Sequence, residues 1–381
     1  MAGLYIHIPF CKQACSYCDF YFVTRQQHKQ EFVDELIREI HSKKDTRFTE
    51  ESIQTIYFGG GTPSLLTPSQ VESILEAIDS VFELDLKEVT LEMNPDDVTK
   101  EYLSGLKSAG INRASMGVQS FDPELLKFMN RAHTSSEALK CLELLKSSRI
   151  DVFTADLIYG NPGQSLDSLE KDIDTLLQFD PPHISAYSLT VEPQTRLGKQ
   201  VELGRIAPPE DDTVSDHFDL VVEKLKSAGI HQYEVSNYAL PGREALHNSS
   251  YWSHENYLGL GPGAHSFWWS EEQKSAQRWS NKPDLRSYLK SNWNTPFEQE
   301  VLDLADLAEE RLMLGLRTRK GLSKKELLSR YHFSFSPKQT DYLRQLEASG
   351  KANIDDRIQL STQGLKIADS ILLDLVTMKP E

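Results

Sequence analysis

The sequence has few cysteines and no long apolar run. The first feature argues against a disulfide-bonded secreted protein, and the second against a membrane-spanning one. Four cysteines occur among 381 residues. Nothing marks the chain as secreted, so we do not expect a disulfide pair. No run of about 18 apolar residues occurs, which predicts that no helix spans a membrane. The first residues have the pattern of a β-strand rather than of a signal peptide. We therefore expect a protein of the reducing cytoplasm.

Positive charge is also scarce. Lysine and arginine number 41 against 57 aspartates and glutamates, which gives a formal net charge of −16. An acidic surface repels phosphate backbones, so we do not expect a nucleic-acid partner. The hydrophobic and charged fractions are ordinary for a globular protein. The length suggests two or three units with a large core.

Three of the four cysteines are concentrated in one loop near the start of the chain. Cys11, Cys15 and Cys18 follow a short strand-like run with C-x3-C-x2-C spacing. Thiolates are soft ligands that select zinc, copper(I) or iron–sulfur clusters. A structural zinc site needs four ligands, so His7, Asp19 or a distant residue would have to supply the fourth. A four-iron cluster held by three cysteines instead keeps one iron open for a ligand.

The first 235 residues alternate between strand and helix patterns. Runs with β-type composition predict strands at residues 4–8, 53–58, 88–93, 113–118, 152–158, 183–189 and 232–235. Apolar residues at helical spacing predict helices at residues 27–43, 68–82, 99–109, 135–146, 165–179 and 209–228. Strands that alternate with helices of this length form βαβ units around a parallel sheet. The pattern therefore predicts an α/β fold, with six units forming a partial (β/α)6 barrel.

Polar and glycine residues stand at the ends of several predicted strands. Residues 59–62, with the sequence Gly-Gly-Gly-Thr, follow the second strand, and Glu92, Gln119 and Asp156 lie at the ends of the next three. Arg131 follows shortly after the fourth strand. Functional groups of a parallel β/α array gather at the carboxyl ends of its strands, and glycine lets a ligand approach the backbone closely. Taken singly, each residue also fits an ordinary polar group at a strand end.

The cysteine spacing, the glycine run and these strand-end residues together resemble the radical S-adenosylmethionine (SAM) superfamily, in the branch of oxygen-independent coproporphyrinogen III oxidase. The resemblance covers essentially the whole chain. It implies that Cys11, Cys15 and Cys18 hold a [4Fe-4S] cluster whose open iron chelates SAM. The positions that match the family's SAM contacts are Tyr5, Tyr17, Gly60, Gly61, Thr62, Glu92, Gln119, Arg131 and Asp156. Two further family positions fall near Thr190 and His265.

Two departures from the oxidase pattern indicate a different activity. The oxidase has a fourth cysteine where this chain has Phe20, and an N-terminal extension where only ten residues precede Cys11. The chain also contains the motif His-Asn-x-x-Tyr-Trp at residues 247–252. These features resemble the HemW-type heme chaperones, which bind the cluster, SAM and heme and transfer heme to apoproteins. The alternative is the oxidase itself, in which a 5′-deoxyadenosyl radical abstracts hydrogen from two propionate side chains before decarboxylation.

A heme carrier needs an axial ligand and apolar surroundings, and the segment from residue 237 onward contains candidates for both. Heme iron takes imidazole readily, so His247 is our first choice of ligand and His265 the second. A flat apolar macrocycle packs against aromatic side chains, which are supplied nearby by Tyr251, Trp252, Phe267, Trp268 and Trp269. On residue type alone, His247 also fits an ordinary loop histidine, and the aromatic residues also fit a role in closing the barrel.

The resemblance also implies partners. Heme recipients in the family include membrane respiratory enzymes, and a donor such as flavodoxin or ferredoxin supplies electrons to the cluster. SAM is either cleaved reductively or used to gate the shape or the oligomeric state of the carrier. We therefore expect a cytoplasmic protein that reaches a membrane only through a recipient. We do not expect coproporphyrinogen III dehydrogenase activity.

The sequence predicts three units. Residues 1–236 form the radical SAM core, residues 237–300 an aromatic-rich connecting segment, and residues 301–381 a C-terminal module. A strand pair near residues 352–360 precedes the last of the four helices expected in this module, at residues 304–316, 323–331, 337–349 and 362–377. This order resembles a winged-helix domain. Such domains also bind nucleic acid, but the acidic charge of the chain argues against that role.

Overall fold

Parallel strands from the first half of the chain form the centre of the fold. The computed structural model describes residues 2–270 and 272–378. The central strands are β1 (Ala2–Ile8), β2 (Ile53–Gly60), β3 (Leu84–Met93), β4 (Arg113–Gln119), β5 (Val152–Tyr159) and β6 (His183–Ser188). They lie side by side in chain order, and every neighbouring pair is parallel. The predicted α/β fold around a parallel sheet is therefore confirmed.

The connections between these strands are helical. They contain α1 (Lys29–His41), α2 (Pro68–Asp79), α3 (Lys100–Ala109), α4 (Pro123–Phe128), α5 (Ser135–Lys146) and α6 (Leu166–Leu177). Single turns of 3-10 helix lie at Arg47–Thr49, Pro63–Leu65 and Pro95–Asp97. Four of the helices begin at a hydroxyl that accepts the backbone N–H three residues later, from Thr67, Thr99, Thr134 and Ser165. These caps satisfy N–H groups that would otherwise lack a partner, so the helix starts are set locally.

The segment after β6 extends the sheet at both edges. It contains α7 (Arg196–Glu202), α8 (Asp211–Ser227), β7 (His231–Gln232), β8 (Asn237–Ala239), α9 (Leu246–Trp252), β9 (Asn256–Leu260), β10 (His265–Ser270), β11 (Ser275–Ser280), α10 (Leu285–Tyr288) and β12 (Glu298–Leu302). Strand β9 pairs in parallel with β1, and β8 pairs antiparallel with β6. The resulting order is β12-β11-β10-β9-β1-β2-β3-β4-β5-β6-β8-β7.

Strands β8 to β12 were not predicted from the sequence. They are short and lie in a segment rich in glycine, asparagine and aromatic residues, where no long alternation marks a strand. The predicted strand at residues 232–235 is mostly wrong, because β7 ends at Gln232 and the chain turns before β8. The connecting segment therefore continues the central sheet, and the division of the chain into three units stays a prediction.

The C-terminal module packs helices around a small sheet. Its elements are α11 (Leu304–Leu316), β13 (Leu322–Ser323), α12 (Lys324–Tyr331), α13 (Pro337–Ala348), β14 (Ala352–Ile354), β15 (Arg357–Leu360), α14 (Thr362–Leu365) and α15 (Ala368–Thr377). The strands are ordered β13-β15-β14. The predicted strand pair is confirmed, whereas the single helix expected over residues 362–377 is two helices. Residues 379–381 of the predicted unit lie outside the described part of the chain.

Strand β10 connects two of the hydrophobic cores. Trp268 packs into the core of the central sheet, while Phe267 and Trp269 pack into the core of the C-terminal module. Successive side chains of a strand point to opposite faces, so three adjacent aromatic residues serve two cores. Across residues 2–270 and 272–378, no helix has the length and apolar character needed to cross a membrane.

Candidate functional site

A cavity of about 520 Å³ lies where the central strands end, and we call it the cysteine cavity. Cys11, Cys15 and Cys18 all line it. Among the predicted SAM contacts, the residues that line the same cavity are Tyr17, Gly60, Gly61, Thr62, Glu92, Gln119, Arg131 and Asp156. Thr190 also lines it. The fold thus brings together residues that are far apart in sequence, because the carboxyl ends of parallel strands share one edge.

The cysteine loop is fixed by hydrogen bonds at its start. The backbone N–H of Gly61 donates to the carbonyl oxygen of Ile8 at 2.8 Å, and that of Thr62 donates to the carbonyl oxygen of Phe10 at 2.7 Å. The hydroxyl of Thr62 also donates to the Cys11 sulfur at 3.5 Å. The end of β2 therefore holds the first cysteine in position.

The middle of the loop is held from the other side of the cavity. The backbone N–H of Ser16 donates to the carbonyl oxygen of Met129 at 3.0 Å. The Ser16 hydroxyl donates to the carbonyl oxygen of Phe128, also at 3.0 Å. Nη1 of Arg131 donates to the Cys15 sulfur at 3.4 Å. The segment after α4 thus sets the position of the second cysteine.

Glycine at position 61 is required by this packing. A Cβ there would lie 2.7 Å from the carbonyl oxygen of Phe10 and 2.8 Å from that of Ile8, and 3.1 Å from the Cys11 sulfur. Those oxygens belong to the backbone and cannot move aside cheaply. Gly60 has a φ of +102°, which side-chain-bearing residues rarely adopt. The glycine run therefore serves the close contact between β2 and the cysteine loop, as well as any ligand in the cavity.

Cys11 is buried, and Cys15 and Cys18 are half-buried in the loop. Burial raises the pKa of the Cys11 thiol to about 11 and that of Cys18 to about 12, so both thiols hold their protons at neutral pH without a metal. Within the described residues, no three Cys, His, Asp or Glu side chains form a group that could hold one metal ion. His7, a possible fourth zinc ligand, instead donates from Nε2 to the carbonyl oxygen of Tyr21 at 2.9 Å. This hydrogen bond disfavours a closed zinc site that uses His7 as its fourth ligand.

The cavity wall contains polar atoms that lack partners. Arg131 donates from Nη2 to Asn94 Oδ1 at 2.8 Å and to the carbonyl oxygen of Gly117 at 2.9 Å. Its Nε and the Oε1 of Gln119 are buried without a hydrogen-bond partner in the described residues. Gln119 also has a φ of +67°, an uncommon conformation for a residue with a side chain. A free donor and a free acceptor in one cavity fit a polar ligand that carries both kinds of group.

Two carboxyl groups lie in the same wall, and neither has a basic hydrogen-bond partner among the residues that the structure describes. Glu92 Oε1 accepts a hydrogen bond from the Tyr57 hydroxyl at 2.8 Å, and burial raises the pKa of Glu92 to about 7. Asp156 accepts from the Ser115 hydroxyl at 3.4 Å, and burial raises its pKa to about 6. Such groups suit a ligand that presents hydroxyl or ammonium donors.

A second cavity, of about 630 Å³, adjoins the first at the cysteine loop, and we call it the aromatic cavity. Tyr5 and His265 line this cavity and not the cysteine cavity. Its aromatic side chains are Tyr5, Phe20, Tyr21, Tyr251, Tyr257, Phe267 and Phe297. Phe20 and Asp19 line both cavities, so the cysteine loop separates the two spaces. Of the aromatic residues expected to surround heme, Trp252, Trp268 and Trp269 do not line this cavity.

His247 is enclosed between the two cavities and lines neither of them. It lies on helix α9 rather than in a loop, and its side chain has no exposed surface. Nδ1 is hydrogen-bonded to the Thr55 hydroxyl at 2.8 Å, and Nε2 to the Tyr251 hydroxyl at 2.7 Å. Burial lowers the pKa of the imidazole to about 3, so the ring is neutral. Both nitrogens that could bind iron are therefore occupied in this conformation.

Sequence reasoning missed two residues that organise the cysteine cavity. Tyr57 donates to Glu92, and Asn94 accepts from Arg131. Tyr57 stands two residues before Gly59 on β2, and alternation along a strand would have placed it on the same face. Asn94 directly follows the last residue of β3, and Glu92 is the residue before that last one. Its place at the strand end could therefore have identified Asn94 as a site residue.

Comparisons with known proteins agree with the geometry. Residues 5–176 match the family model of the radical SAM superfamily, and residues 302–367 match that of the HemN C-terminal domain. The heme chaperone HemW of Bacillus subtilis is 34% identical over 379 residues, which cover 97% of this chain and 98% of that protein. The mitochondrial radical S-adenosyl methionine domain-containing protein 1 of Danio rerio is 33% identical, over 97% of this chain and 86% of that protein.

A solved structure shares the whole fold. Coproporphyrinogen III oxidase (HemN) from Escherichia coli superimposes with a TM-score of 0.81, over 99% of this chain and 90% of that one. The two sequences are 22% identical, so this likeness concerns the fold alone. The extended sheet and the C-terminal module are therefore features that the two proteins have in common.

Proposed function

This chain belongs to the radical SAM superfamily and, within it, to the family of heme chaperone HemW, and from this premise we propose that it carries heme to apo-hemoproteins. The family predicted from the cysteine spacing and the HNxxYW motif is thereby confirmed. The observation that carries the proposal is the aromatic cavity, which adjoins the cysteine cavity and shares Phe20 and Asp19 with it. An apolar macrocycle of porphyrin type fits a concave space of this size and lining.

The family implies a [4Fe-4S] cluster and SAM, and the residues present fit both. We assign the cluster to Cys11, Cys15 and Cys18, which supply soft sulfur ligands on one loop. When bound, the cluster and SAM supply one-electron chemistry at a carbon–sulfur bond. The chain itself contributes the loop geometry and the positive charge of Arg131, whose Nη1 donates to the Cys15 sulfur at 3.4 Å.

The proposed SAM site is the polar wall of the cysteine cavity. The guanidinium of Arg131 suits the carboxylate of SAM, and the carbonyl groups of the glycine run suit its ammonium. Glu92, Gln119 and Asp156 suit the ribose hydroxyls and the adenine. Thr62 and Tyr17 complete this proposed set. Tyr5 lines the aromatic cavity, but its ring stacks at 6.2 Å on Tyr57, which lines the cysteine cavity, so Tyr5 stays in the proposed set at the boundary between the two cavities.

Heme binding through His247 stays a prediction. In this conformation the imidazole is closed off by Thr55 and Tyr251, and a bond to iron would require at least the Tyr251 hydrogen bond to break. The aromatic cavity supports heme binding without that rearrangement, because it is already open beside Tyr251. The proposal of a heme carrier therefore does not depend on His247.

The alternative function is oxygen-independent coproporphyrinogen III oxidation. HemN, which has this activity in its name, shares the fold of this chain, so the alternative also needs an experimental test. Phe20 argues against it. Its ring is 66% exposed and stands between the two cavities, at the position where the oxidase branch has a fourth cysteine. An aromatic ring there favours apolar contact over the chemistry of a thiol.

The proposal includes partners of stated kinds. The recipients are apo-hemoproteins, among them membrane respiratory enzymes, and the electron donor is a small redox protein such as flavodoxin or ferredoxin. Two relatives named heme chaperones, from Bacillus subtilis and Lactococcus lactis, cover nearly all of this chain and support the heme-carrier part. The carrier acts in the cytoplasm and meets a membrane only through a recipient.

One anaerobic experiment tests the function. The cluster is reconstituted, SAM and a reductant are added, and the sample is divided between coproporphyrinogen III and heme. We expect a saturable Soret band with heme and no protoporphyrinogen from the other half. Transfer is then measured as the activity regained by a heme-depleted recipient enzyme. Formation of decarboxylated product would establish the oxidase instead, and the absence of any heme complex would refute the carrier.

A further inference from the structure

Three histidines line the aromatic cavity, and two of them have no free ring nitrogen. His7 is buried, donates from Nε2 to the carbonyl oxygen of Tyr21 at 2.9 Å, and accepts the Tyr5 hydroxyl at Nδ1 at 3.3 Å. His254 is also buried, with Nδ1 bonded to the Tyr331 hydroxyl at 3.1 Å and Nε2 to Glu310 at 3.3 Å. Binding of iron by either ring would break a buried hydrogen bond, which is costly.

His265 differs from both. It is exposed, it lines the aromatic cavity, and neither ring nitrogen has a hydrogen-bond partner in residues 2–270 and 272–378. It is the first residue of β10, where its backbone lies opposite Ser280 of β11. A neutral imidazole with a free nitrogen is the usual protein ligand of heme iron. This side chain can therefore bind a metal without any rearrangement of the fold.

The backbone that carries His265 is fixed by a glycine. A Cβ on Gly259 would collide with the carbonyl oxygen of His265. The absence of a side chain at position 259 lets the turn between β9 and β10 close tightly. Because β9 pairs with β1, this turn holds His265 on the wall of the cavity rather than on a free loop.

The tyrosines of the cavity are weaker candidates as iron ligands. A phenolate can bind heme iron, but burial raises the pKa of Tyr251 well above its ordinary value, and burial also raises that of Tyr257. Both therefore hold their protons at neutral pH. The Tyr251 hydroxyl is, in addition, already bonded to His247. Their rings are better suited to packing on the faces of a macrocycle.

We propose that His265 is the axial ligand of an iron porphyrin bound in the aromatic cavity. The inference rests on the proposed heme-carrier function. It assigns the role of iron ligand to His265 rather than His247, because among the described residues of the cavity His265 is the histidine whose ring nitrogens are free in this conformation. The aromatic rings of Phe20, Tyr257 and Phe297 contact the macrocycle, and Phe20 and Phe297 are 66% and 53% exposed at the cavity rim. In this proposal the protein supplies one ligand to the iron, which suits a carrier that must release heme to a recipient.

The charges around the cavity agree with such a weak attachment. Among the described residues that line the cavity, Arg278 is the only lysine or arginine. It donates to both carboxylate oxygens of Glu310, at 2.8 and 2.7 Å, and to Glu300 at 2.9 Å. Both Nη atoms of Arg278 therefore already donate hydrogen bonds, and they are poorly available to a heme propionate. Asp19, Glu255 and Glu298 also line the cavity and repel anionic groups. Affinity for heme then depends mainly on the iron ligand and on apolar contact.

The test is a heme titration of the full-length protein and its variants, followed through the Soret band. We expect wild type to bind one heme per chain, and His265→Ala to lose affinity by about tenfold or more. Free imidazole added to His265→Ala should restore the spectrum of the wild type. His265→Cys should change the spectrum from the imidazole type to the thiolate type. His231→Ala, which removes an exposed histidine at the far edge of the sheet, is the matched control and should behave as wild type.

A parallel titration of His247→Ala separates the possible outcomes. Heme bound by His247→Ala but not by His265→Ala supports the inference. Unchanged affinity and spectrum in His265→Ala overturn it, and loss of the complex in His247→Ala alone, with that variant shown to be folded, would make His247 the candidate ligand instead. If wild type itself binds no heme, the proposed function fails and the inference fails with it. His265 is exposed and its substitution removes no buried contact, so a folding defect does not obscure the result.

Discussion

Replacing Glu92 by glutamine should stabilise the ligand-free protein. Glu92 lies in the wall of the cysteine cavity, where burial raises its pKa from 4.5 to about 7. The Tyr57 hydroxyl donates to it at 2.8 Å, which offsets only part of that effect. The folded state therefore binds its proton more tightly than the unfolded state does. Stability due to this group is fully present below pH 4.5 and is lost as the pH rises through 7.

The magnitude follows from the two pKa values. A difference of about 2.5 pH units corresponds to about 3 kcal/mol of lost stability once the group is ionised in both states. Glutamine carries no charge at any of these pH values and can still accept the hydrogen bond from Tyr57 with its carbonyl oxygen. At pH 8 we expect the free energy of unfolding of Glu92→Gln to exceed that of wild type by about 2–3 kcal/mol, so the variant unfolds at a higher urea concentration. The gain should vanish near pH 4.5.

The assay is urea unfolding of the cluster-free and SAM-free proteins at several pH values between 4.5 and 8. Glu143→Gln, which removes an exposed carboxylate from α5, is the matched control and should leave stability unchanged. A Glu92→Gln protein no more stable than wild type at pH 8, or equally stabilised at pH 4.5 and 8, would refute the reasoning. The same variant should bind SAM more weakly, because the proposed contact to the ligand loses its charge.

Further substitutions test the cysteine loop and the buried histidine. Gly61→Ala should abolish cluster assembly, because the new Cβ would lie 2.7–2.8 Å from the backbone oxygens of Phe10 and Ile8; iron content and visible absorption measure this. Cys18→Ala should remove the four-iron spectrum, since the cluster would lose one of its proposed ligands. His247→Ala should lower the free energy of unfolding by about 2–4 kcal/mol, because two hydrogen bonds and a fully buried ring are lost.

Each of these substitutions has a control or a contradicting result. Gly163→Ala is the control for the glycine, because a Cβ there meets no atom within 4 Å, and only its φ of +78° costs stability. Cys141→Ala is the control for the cysteine, because Cys141 lies buried in α5, away from the cysteine cavity. A full iron spectrum in Gly61→Ala or Cys18→Ala would contradict the assignment of the loop. Wild-type stability in His247→Ala would mean that its hydrogen bonds contribute little.

The sequence by itself determined the central fold and most of the cysteine cavity. Alternating strand and helix patterns require parallel strands, and parallel strands bring their carboxyl ends to one edge. Residues found at those ends in the sequence, such as Glu92, Gln119 and Asp156, therefore had to meet. The spacing of the three cysteines within one short loop likewise needed no long-range information.

Only the tertiary structure decided which residues face the aromatic cavity. Strand β9 pairs with β1 across some 250 residues of chain, with Tyr5 opposite Gly259, and no local pattern encodes that pairing. It brings Tyr5 and His265, which are 260 residues apart in sequence, to the wall of the same cavity. Likewise, Thr55 of β2, which is 192 residues away in sequence, is hydrogen-bonded to His247 in the folded chain. The accessibility of a side chain depends on what packs over it, and that is set by contacts between distant segments rather than by the residues next to it in sequence.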